Sequence, residues 1–134
     1  MSMVKPLALV GALLLAGCGG GDGGGGTGGP TAGEITLTLT SPGSDDGAIL
    51  FRVSGRVTGV RAVSPYTVAS APIAGLPDLT RVVVTGPITS GPIVILEVPD
   101  IRIKTSYTAQ VEQVASRTTF ALLSAVAYGI RVAD

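Results

Sequence analysis

The chain has 134 residues, the size of one domain, and its 9 Lys and Arg balance its 9 Asp and Glu to a formal net charge of +0. Nucleic-acid binding needs a clustered basic excess, so this balance excludes nucleic acid as an expected partner. The sequence contains no His and 1 Cys, which excludes an internal disulfide and removes the commonest general base and transition-metal ligand. The composition favours a protein that is not an enzyme and implies no metal or other cofactor.

Residues 1–17 have the features of a secretory signal peptide. Lys5 and the α-amino group give a thin positive region, and the apolar run from Leu7 to Ala16 is too short to cross about 30 Å of hydrocarbon as a helix. The motif Leu15-Ala16-Gly17-Cys18 ends this segment and resembles the lipobox of bacterial lipoproteins. The resemblance implies cleavage before Cys18, a diacylglyceryl thioether on its sulfur, and acylation (palmitate or a similar chain) of the new terminus. An ordinary cleaved signal followed by an incidental Cys is the alternative.

Residues 18–33 are predicted to be the lipidated Cys and a flexible tether. Eleven of the 20 Gly fall between Gly17 and Gly33, and Gly loses the most entropy on ordering while offering no apolar side chain to a core. The residue after the Cys is Gly19 and not Asp. In envelopes that sort lipoproteins by this residue, Asp is the inner-membrane signal. The resemblance therefore implies a lipid-anchored cell-envelope protein at the outer membrane rather than the inner.

From residue 34 the composition changes to Val, Ile, Thr and Leu with Pro and Gly between the runs, which predicts one β domain over 34–134. Ile35, Leu37 and Leu39 alternate with Thr in a first strand. A turn over 41–47 leads into a second strand over 48–54. Further strands are predicted over 60–63, 66–71 (closed by Pro72), 79–85 (ending at Gly86-Pro87), 93–98, 107–114 and 125–132.

These seven or eight short strands, about ten residues apart, predict an all-β fold: a single antiparallel β-sandwich of roughly immunoglobulin size. A closed barrel is the alternative architecture. Little helix is expected, and the segment 116–124 is compatible with a helical turn or a short strand. With an Asp-Asp-Gly turn that leads into the strand sequence Ala48–Gly55, the domain resembles small β-sandwich lipoproteins. This resemblance assigns no functional residues.

Adjacent Asp45 and Asp46, between Gly43 and Gly47, are the best candidate for a small site. Carboxylates on a loop suit Ca²⁺, with the distant Asp78 or Asp100 as further ligands. The alternating oxygen ligands of a calcium loop are absent, however, and Asp and Gly are what a turn prefers. A turn is the favoured interpretation.

Two other groups of polar residues offer chemistry. Lys104 and Ser106, expected on one face of a strand, have the residue types of a Ser–Lys hydrolase pair but no accompanying oxyanion-hole signature. Arg52, Arg56 and Arg61 could form a face for carboxylates or anionic sugars. Residues two apart on a strand most often simply face solvent, which is the favoured interpretation of Lys104 and Ser106. Because acids are equally numerous, ordinary solvated charge is favoured for the three arginines.

Tyr66, Tyr107 and Tyr128 are the candidate ligand-binding residues. Exposed aromatic rings stack on sugars when they are coplanar, and otherwise a Tyr packs its ring inside and its hydroxyl at the rim. The segment between Pro92 and Pro99 is strongly apolar and is predicted to be a central strand, with an edge that accepts a partner's strand as the alternative.

The sequence as a whole predicts a lipid-anchored envelope β-sandwich with a binding or structural role. The first expected partner is another protein. The alternative is a carbohydrate-binding module built on the three Tyr. The expected partners are the membrane, through Cys18, and an envelope protein or glycan.

Overall fold

The computed structural model describes residues 28–134. The predicted signal peptide, Cys18 and the tether up to residue 27 lie outside the described residues. Nine strands form in this part of the chain: β1 Gly33–Thr40, β2 Asp46–Ser54, β3 Gly59–Ala62, β4 Thr67–Ile73, β5 Leu76–Ile88, β6 Gly91–Val98, β7 Thr108–Ser116, β8 Leu122–Leu123 and β9 Gly129–Val132. Two short 3₁₀ segments, Ile101–Ser106 and Ala125–Ala127, are the helical elements of the described residues.

The strands form two antiparallel sheets, which confirms the predicted all-β sandwich. The four-stranded sheet has the order β3-β6-β1-β9, and the five-stranded sheet has the order β4-β5-β2-β7-β8. Contacts between β3 and β4, and between β7 and β9, bring the two sheets together along both sides. Among residues 28–134, no helix is long and apolar enough to cross a membrane.

The core lies between the sheets and is built from alternate strand positions. In β1 from Ile35 and in β2 from Ile49, every second residue is buried and its neighbours are more exposed, as the period-two pattern predicted. Burying such aliphatic and aromatic side chains stabilises a fold by about 1.5–3 kcal/mol each. The buried apolar residues are Ile35, Leu37, Leu39, Ile49, Phe51, Val53, Val82, Val84, Ile88, Ile93, Val94, Leu96, Val98, Tyr107 and Val114.

The strands run between two ends of the sandwich. The near pole is the end where β1 begins at Gly33, beside Val98, and where β2 ends at Ser54. The far pole is the end where β1 finishes at Thr40 and where Asp46 pairs with Ile88 and Ser116. An eight-residue strand such as β1 spans about 26 Å between the poles.

Some prolines that the sequence had placed at strand ends lie inside strands, Pro72 and Pro92 among them. Pro72 is in β4, which forms one edge of its sheet and so tolerates a residue without an N–H. Pro92 is in β6 at the point where the register with β1 shifts between Leu37 and Thr38, and such an irregularity also accommodates proline.

Some predicted strands differ from the structure in their bounds or in the type of element. β5 continues through Gly86 and Pro87 to Ile88, and the expected strand over 125–132 is a 3₁₀ turn followed by β9. Lys104 and Ser106 lie on the 3₁₀ segment Ile101–Ser106 instead of a strand. Asp100 begins that segment, where its side chain accepts a hydrogen bond from the Arg102 N–H, and the carboxylate thereby favours a helical turn.

Candidate functional site

At the far pole, the carboxylate of Asp46 is buried and hydrogen-bonded. Asp46 is the first residue of β2 and is 1% exposed. Ser41 Oγ donates to Asp46 Oδ2, and the Tyr128 hydroxyl donates to Asp46 Oδ1 at 2.5 Å. The pKa of Tyr128 is raised to about 12. Burial is the largest cause, and the hydrogen bond to Asp46 is the next. Asp46 thus connects the β1–β2 turn to the chain that leads into β9.

The neighbouring Asp45 holds the loop between β7 and β8. Ser116 Oγ and Thr118 Oγ1 both donate to Asp45 Oδ2, the second at 2.8 Å, and the Arg117 N–H donates to the Asp45 carbonyl at 2.6 Å. The Ser116 hydroxyl, followed by that of Thr118, holds the pKa of Asp45 below its usual range. The carboxylate therefore fastens residues 116–118 against the start of β2.

The fastened loop presents Phe120 to solvent. The Phe120 N–H donates to the Ser116 carbonyl at 3.1 Å, and the Ser116 N–H donates to the Ala121 carbonyl at 2.9 Å. Phe120 has φ 60° and is 83% exposed. A positive φ is unusual for a bulky residue and persists only where the surrounding structure holds it. Three more large apolar side chains follow it at the surface: Leu122 at 70%, Leu123 at 37% and Val126 at 94%.

Phe120 is one wall of an apolar groove of about 450 Å³ on the outer face of the five-stranded sheet. Ala48 on β2 pairs with Thr85 on β5 and with Ala115 on β7, so these three side chains lie in one row on that face. Their small size leaves the depression. The groove is lined by Gly47, Ala48, Thr85, Gly86, Pro87, Ala115, Ser116, Arg117 and Phe120.

Gly47 explains how the loop comes so close to the groove. A Cβ at Gly47 would lie 2.6 Å from the Arg117 Cα, so only glycine lets the backbone of Arg117 pass over β2 at this point. The Asp-Asp-Gly sequence is therefore more than a turn. Its two carboxylates and its glycine together set the position of the β7–β8 loop.

The three candidate tyrosines do not form one platform. Tyr107 is at the near pole, 4% exposed, and its hydroxyl donates to the Arg56 carbonyl at 2.6 Å. Tyr66 and Tyr128 are half-buried at the far pole, where the Tyr66 hydroxyl lies 3.3 Å from Thr89 Oγ1 and the Tyr128 hydroxyl is bonded to Asp46. The coplanar arrangement that sugar stacking requires is not formed by these three rings.

The structure gives the Asp45–Asp46 loop hydroxyl partners and separates it from the other acids considered as calcium ligands. Asp78 is at the near pole, where its carbonyl accepts the Gly55 N–H at 2.8 Å, and Asp100 is beside the 3₁₀ segment at the same pole. Among residues 28–134, no group of three or more His, Cys, Asp or Glu is arranged to hold a metal ion.

The structure also places the serine of the Lys104–Ser106 pair and the three arginines. Ser106 Oγ donates to the Ile103 carbonyl of its own 3₁₀ segment at 2.8 Å. Arg52 is on the outer face of the five-stranded sheet near Glu112, at 3.8 Å, whereas Arg61 is on β3 of the other sheet, 2.6 Å from Glu34. Arg52, Arg56 and Arg61 therefore do not share a binding face.

β6 is an interior strand between β3 and β1. The prediction of a central strand for the segment between Pro92 and Pro99 is confirmed, and the edge alternative for this segment is wrong.

Sequence reasoning missed the groove and Phe120. The signal was present in the small residues at outward positions of β2 and β7, Ala48 and Ala115, beside an ambiguous loop that contains an unassigned Phe. Recognising it required the strand order, which the local pattern does not contain.

Comparisons with protein-family models, with curated proteins and with solved structures found no match to this chain.

Proposed function

We propose that this protein is a lipid-anchored interaction module of the bacterial cell envelope, non-catalytic, which docks another envelope protein through the groove beside Phe120. The lipobox residues Leu15 to Cys18 support the anchor, and the fold supplies a rigid body. The observation that carries the docking role is the exposed Phe120 on a hydrogen-bonded loop above an apolar groove.

Several features distinguish this surface from incidental exposure. Single exposed apolar residues are normal, but an exposed aromatic beside an apolar depression is the arrangement of an interaction site. The loop that carries Phe120 is held by Asp45 and passes over Gly47, so the wall of the groove is preorganised and little entropy is lost on binding. Aromatic anchors near such depressions dominate the free energy of many protein interfaces.

A photo-crosslinking experiment in living cells tests this role. The full-length protein carries a photoreactive residue at Leu122, near the groove, or at Leu76, which is also exposed but lies at the near pole. We expect one defined envelope protein to be crosslinked from Leu122 and not from Leu76, and this crosslink to be lost with Phe120→Ser.

Equal crosslinking from both positions, or persistence of the crosslink in Phe120→Ser, would contradict the docking role. Retention of the protein on purified cell-wall glycans alone would favour the carbohydrate alternative instead.

A further inference from the structure

The described chain begins at the near pole and is fastened there. The Thr31 N–H donates to Asp100 Oδ1 at 3.3 Å, the Ile101 N–H donates to the Thr31 carbonyl at 2.7 Å, and Arg102 donates to the Gly28 carbonyl. Arg102 is itself paired with Asp100 at 2.7 Å, and this guanidinium holds the pKa of the Asp100 carboxyl well below its usual range. The residues that precede the sandwich therefore leave it at the end opposite the groove.

The length of the chain between Cys18 and Gly28 limits how the groove can be oriented relative to the membrane. The ten residues from Cys18 to Gly28 extend at most about 35 Å. A molecule lipidated at Cys18 would have to run this segment back along the sandwich, about 26 Å, to bring the far pole to the lipid surface. Full extension would allow this, but the typical end-to-end distance of a predicted flexible tether of this length is about 17 Å, so an orientation with the groove toward the aqueous compartment is favoured.

The charge that lines the groove is positive and lies near the Asp45 carboxylate, whose pKa it helps to lower. Arg117 is the one charged residue that lines it, and it forms none of the four salt bridges found among residues 28–134. On the same outer face of the sheet, Arg52 and Arg81 are both near Glu112. A ligand that fills the groove would bring its own carboxylate to Arg117, whose planar guanidinium suits that group.

The size of the groove restricts the ligand further. A volume of about 450 Å³ with a floor of Ala48, Thr85 and Ala115 accommodates a few side chains and no folded element. Phe120 on one side and Pro87 on the other leave a depression into which an apolar side chain from an extended segment can be inserted.

From these features we infer that the groove binds an extended protein segment from the aqueous side of the envelope, in which an aliphatic or aromatic anchor side chain is adjacent to a carboxylate. The anchor fills the space between Phe120 and Pro87, and the carboxylate pairs with Arg117. This inference rests on the proposed docking function and specifies the chemistry of its partner.

The test uses the full-length protein in lipid nanodiscs and a synthetic peptide array. Each nine-residue peptide has a Gly/Ser background with Leu, Val or Phe at its centre, followed by Asp, Asn or Lys. We expect the Asp peptides to bind about two- to fivefold more tightly than the Asn peptides, and the Lys peptides to bind least.

Two variants and one matched control connect this preference to the groove. Arg117→Glu should reverse the order, so that Lys peptides bind more tightly than Asp peptides. Phe120→Ser should weaken all of them by about tenfold or more. Val126→Ser removes an equally exposed apolar side chain that does not line the groove, and it should leave binding unchanged.

Absence of binding to every peptide, or a preference that Arg117→Glu does not alter, would overturn the inference. Self-association that Phe120→Ser abolishes, measured by sedimentation, would overturn it in favour of a second copy of this chain. Binding of empty nanodiscs that is lost in Phe120→Ser would overturn it in favour of lipid. If the Phe120-dependent crosslink from Leu122 remained in any of these cases, the docking function would stand without this partner chemistry.

Discussion

The hydrogen bond between Tyr128 and Asp46 illustrates how single residues stabilise the far pole. Asp46 is almost fully buried, and a buried carboxylate that loses a partner leaves part of its desolvation cost uncompensated. Tyr128 contributes both a half-buried ring and the hydroxyl that bonds to Asp46. The interaction therefore combines packing with the satisfaction of a buried charge.

Replacing Tyr128 with Phe should lower the free energy of unfolding by about 1–3 kcal/mol, because Asp46 then retains Ser41 as its side-chain donor but loses the phenol. Chemical denaturation at neutral pH measures the effect. Tyr66→Phe is the matched control, since its hydroxyl lies at the surface near Thr89 and should matter less. Equal losses for the two variants would contradict the importance of the buried bond.

The same bond predicts a loss of stability in alkali. The pKa of Tyr128 in the folded protein is about 12, above the ordinary value of 10.0. Its contribution is fully present below pH 10, where both states are protonated. It is lost as the pH rises from 10 toward 12, because the unfolded chain ionises first. This decline should be smaller in Tyr128→Phe, with a remainder from Tyr107, whose pKa burial also raises.

Among the elements, β2 is the one on which the rest of the five-stranded sheet is built. It pairs with β5 on one side and with β7 on the other over nearly its whole length. Gly55 directly follows β2; it has φ 121° and its N–H donates to the Asp78 carbonyl. The ring of Tyr107, which follows the 3₁₀ segment, packs directly against the position where a Cβ of Gly55 would be. Backbone conformation and ring packing both require glycine there.

Gly55→Ala should therefore destabilise the protein by more than Gly91→Ala. Gly91 also has a positive φ, 132°, but nothing lies within 4 Å of its Cβ position. The control should cost about 1–3 kcal/mol for backbone strain alone, and Gly55→Ala should add the displacement of Tyr107. Thermal or chemical unfolding compares the two variants. Equal costs would show that Tyr107 moves aside freely.

For the elements, the period-two alternation was sufficient to predict which side chains face the core wherever one face of a strand is buried. Ile35, Leu37 and Leu39 in β1 are inward, as predicted, and the apolar run of β6 is interior because both its edges are paired. Pro72 and Pro92 were misleading because proline also occurs within edge strands and at register shifts. Neither condition is visible until the neighbours of a strand are known.

For the site, the sequence identified Asp45, Asp46 and Tyr128 as individual residues but not their association. Tyr128 is 82 residues from Asp46, and Ser116 is 71 residues from Asp45. Separations of this size are determined by strand order and not by local pattern. The groove depends in the same way on three strands, whose small outward residues become adjacent only in the sheet.

For the whole molecule, attachment at Cys18 remains a prediction of the sequence. Cys18→Ser should abolish incorporation of labelled palmitate and shift the protein from the membrane to the soluble fraction, because the thioether needs the thiol. Gly19→Asp is the matched control: it should still incorporate palmitate but move from the outer to the inner membrane. A Cys18→Ser protein that stays on the membrane to the same extent would overturn the lipid anchor.

The position of β1 has a mechanical consequence. If the membrane and a partner at the far pole are pulled apart, the force first loads the contacts of Gly28 and Thr31, then enters β1 at Gly33 and is directed along the strands. β1 lies between β6 and β9, and its hydrogen bonds to both run perpendicular to that direction. Tension therefore shears all of these bonds together instead of peeling them one by one. A domain attached in this way should resist being pulled open, as a tether between two separately moving surfaces must.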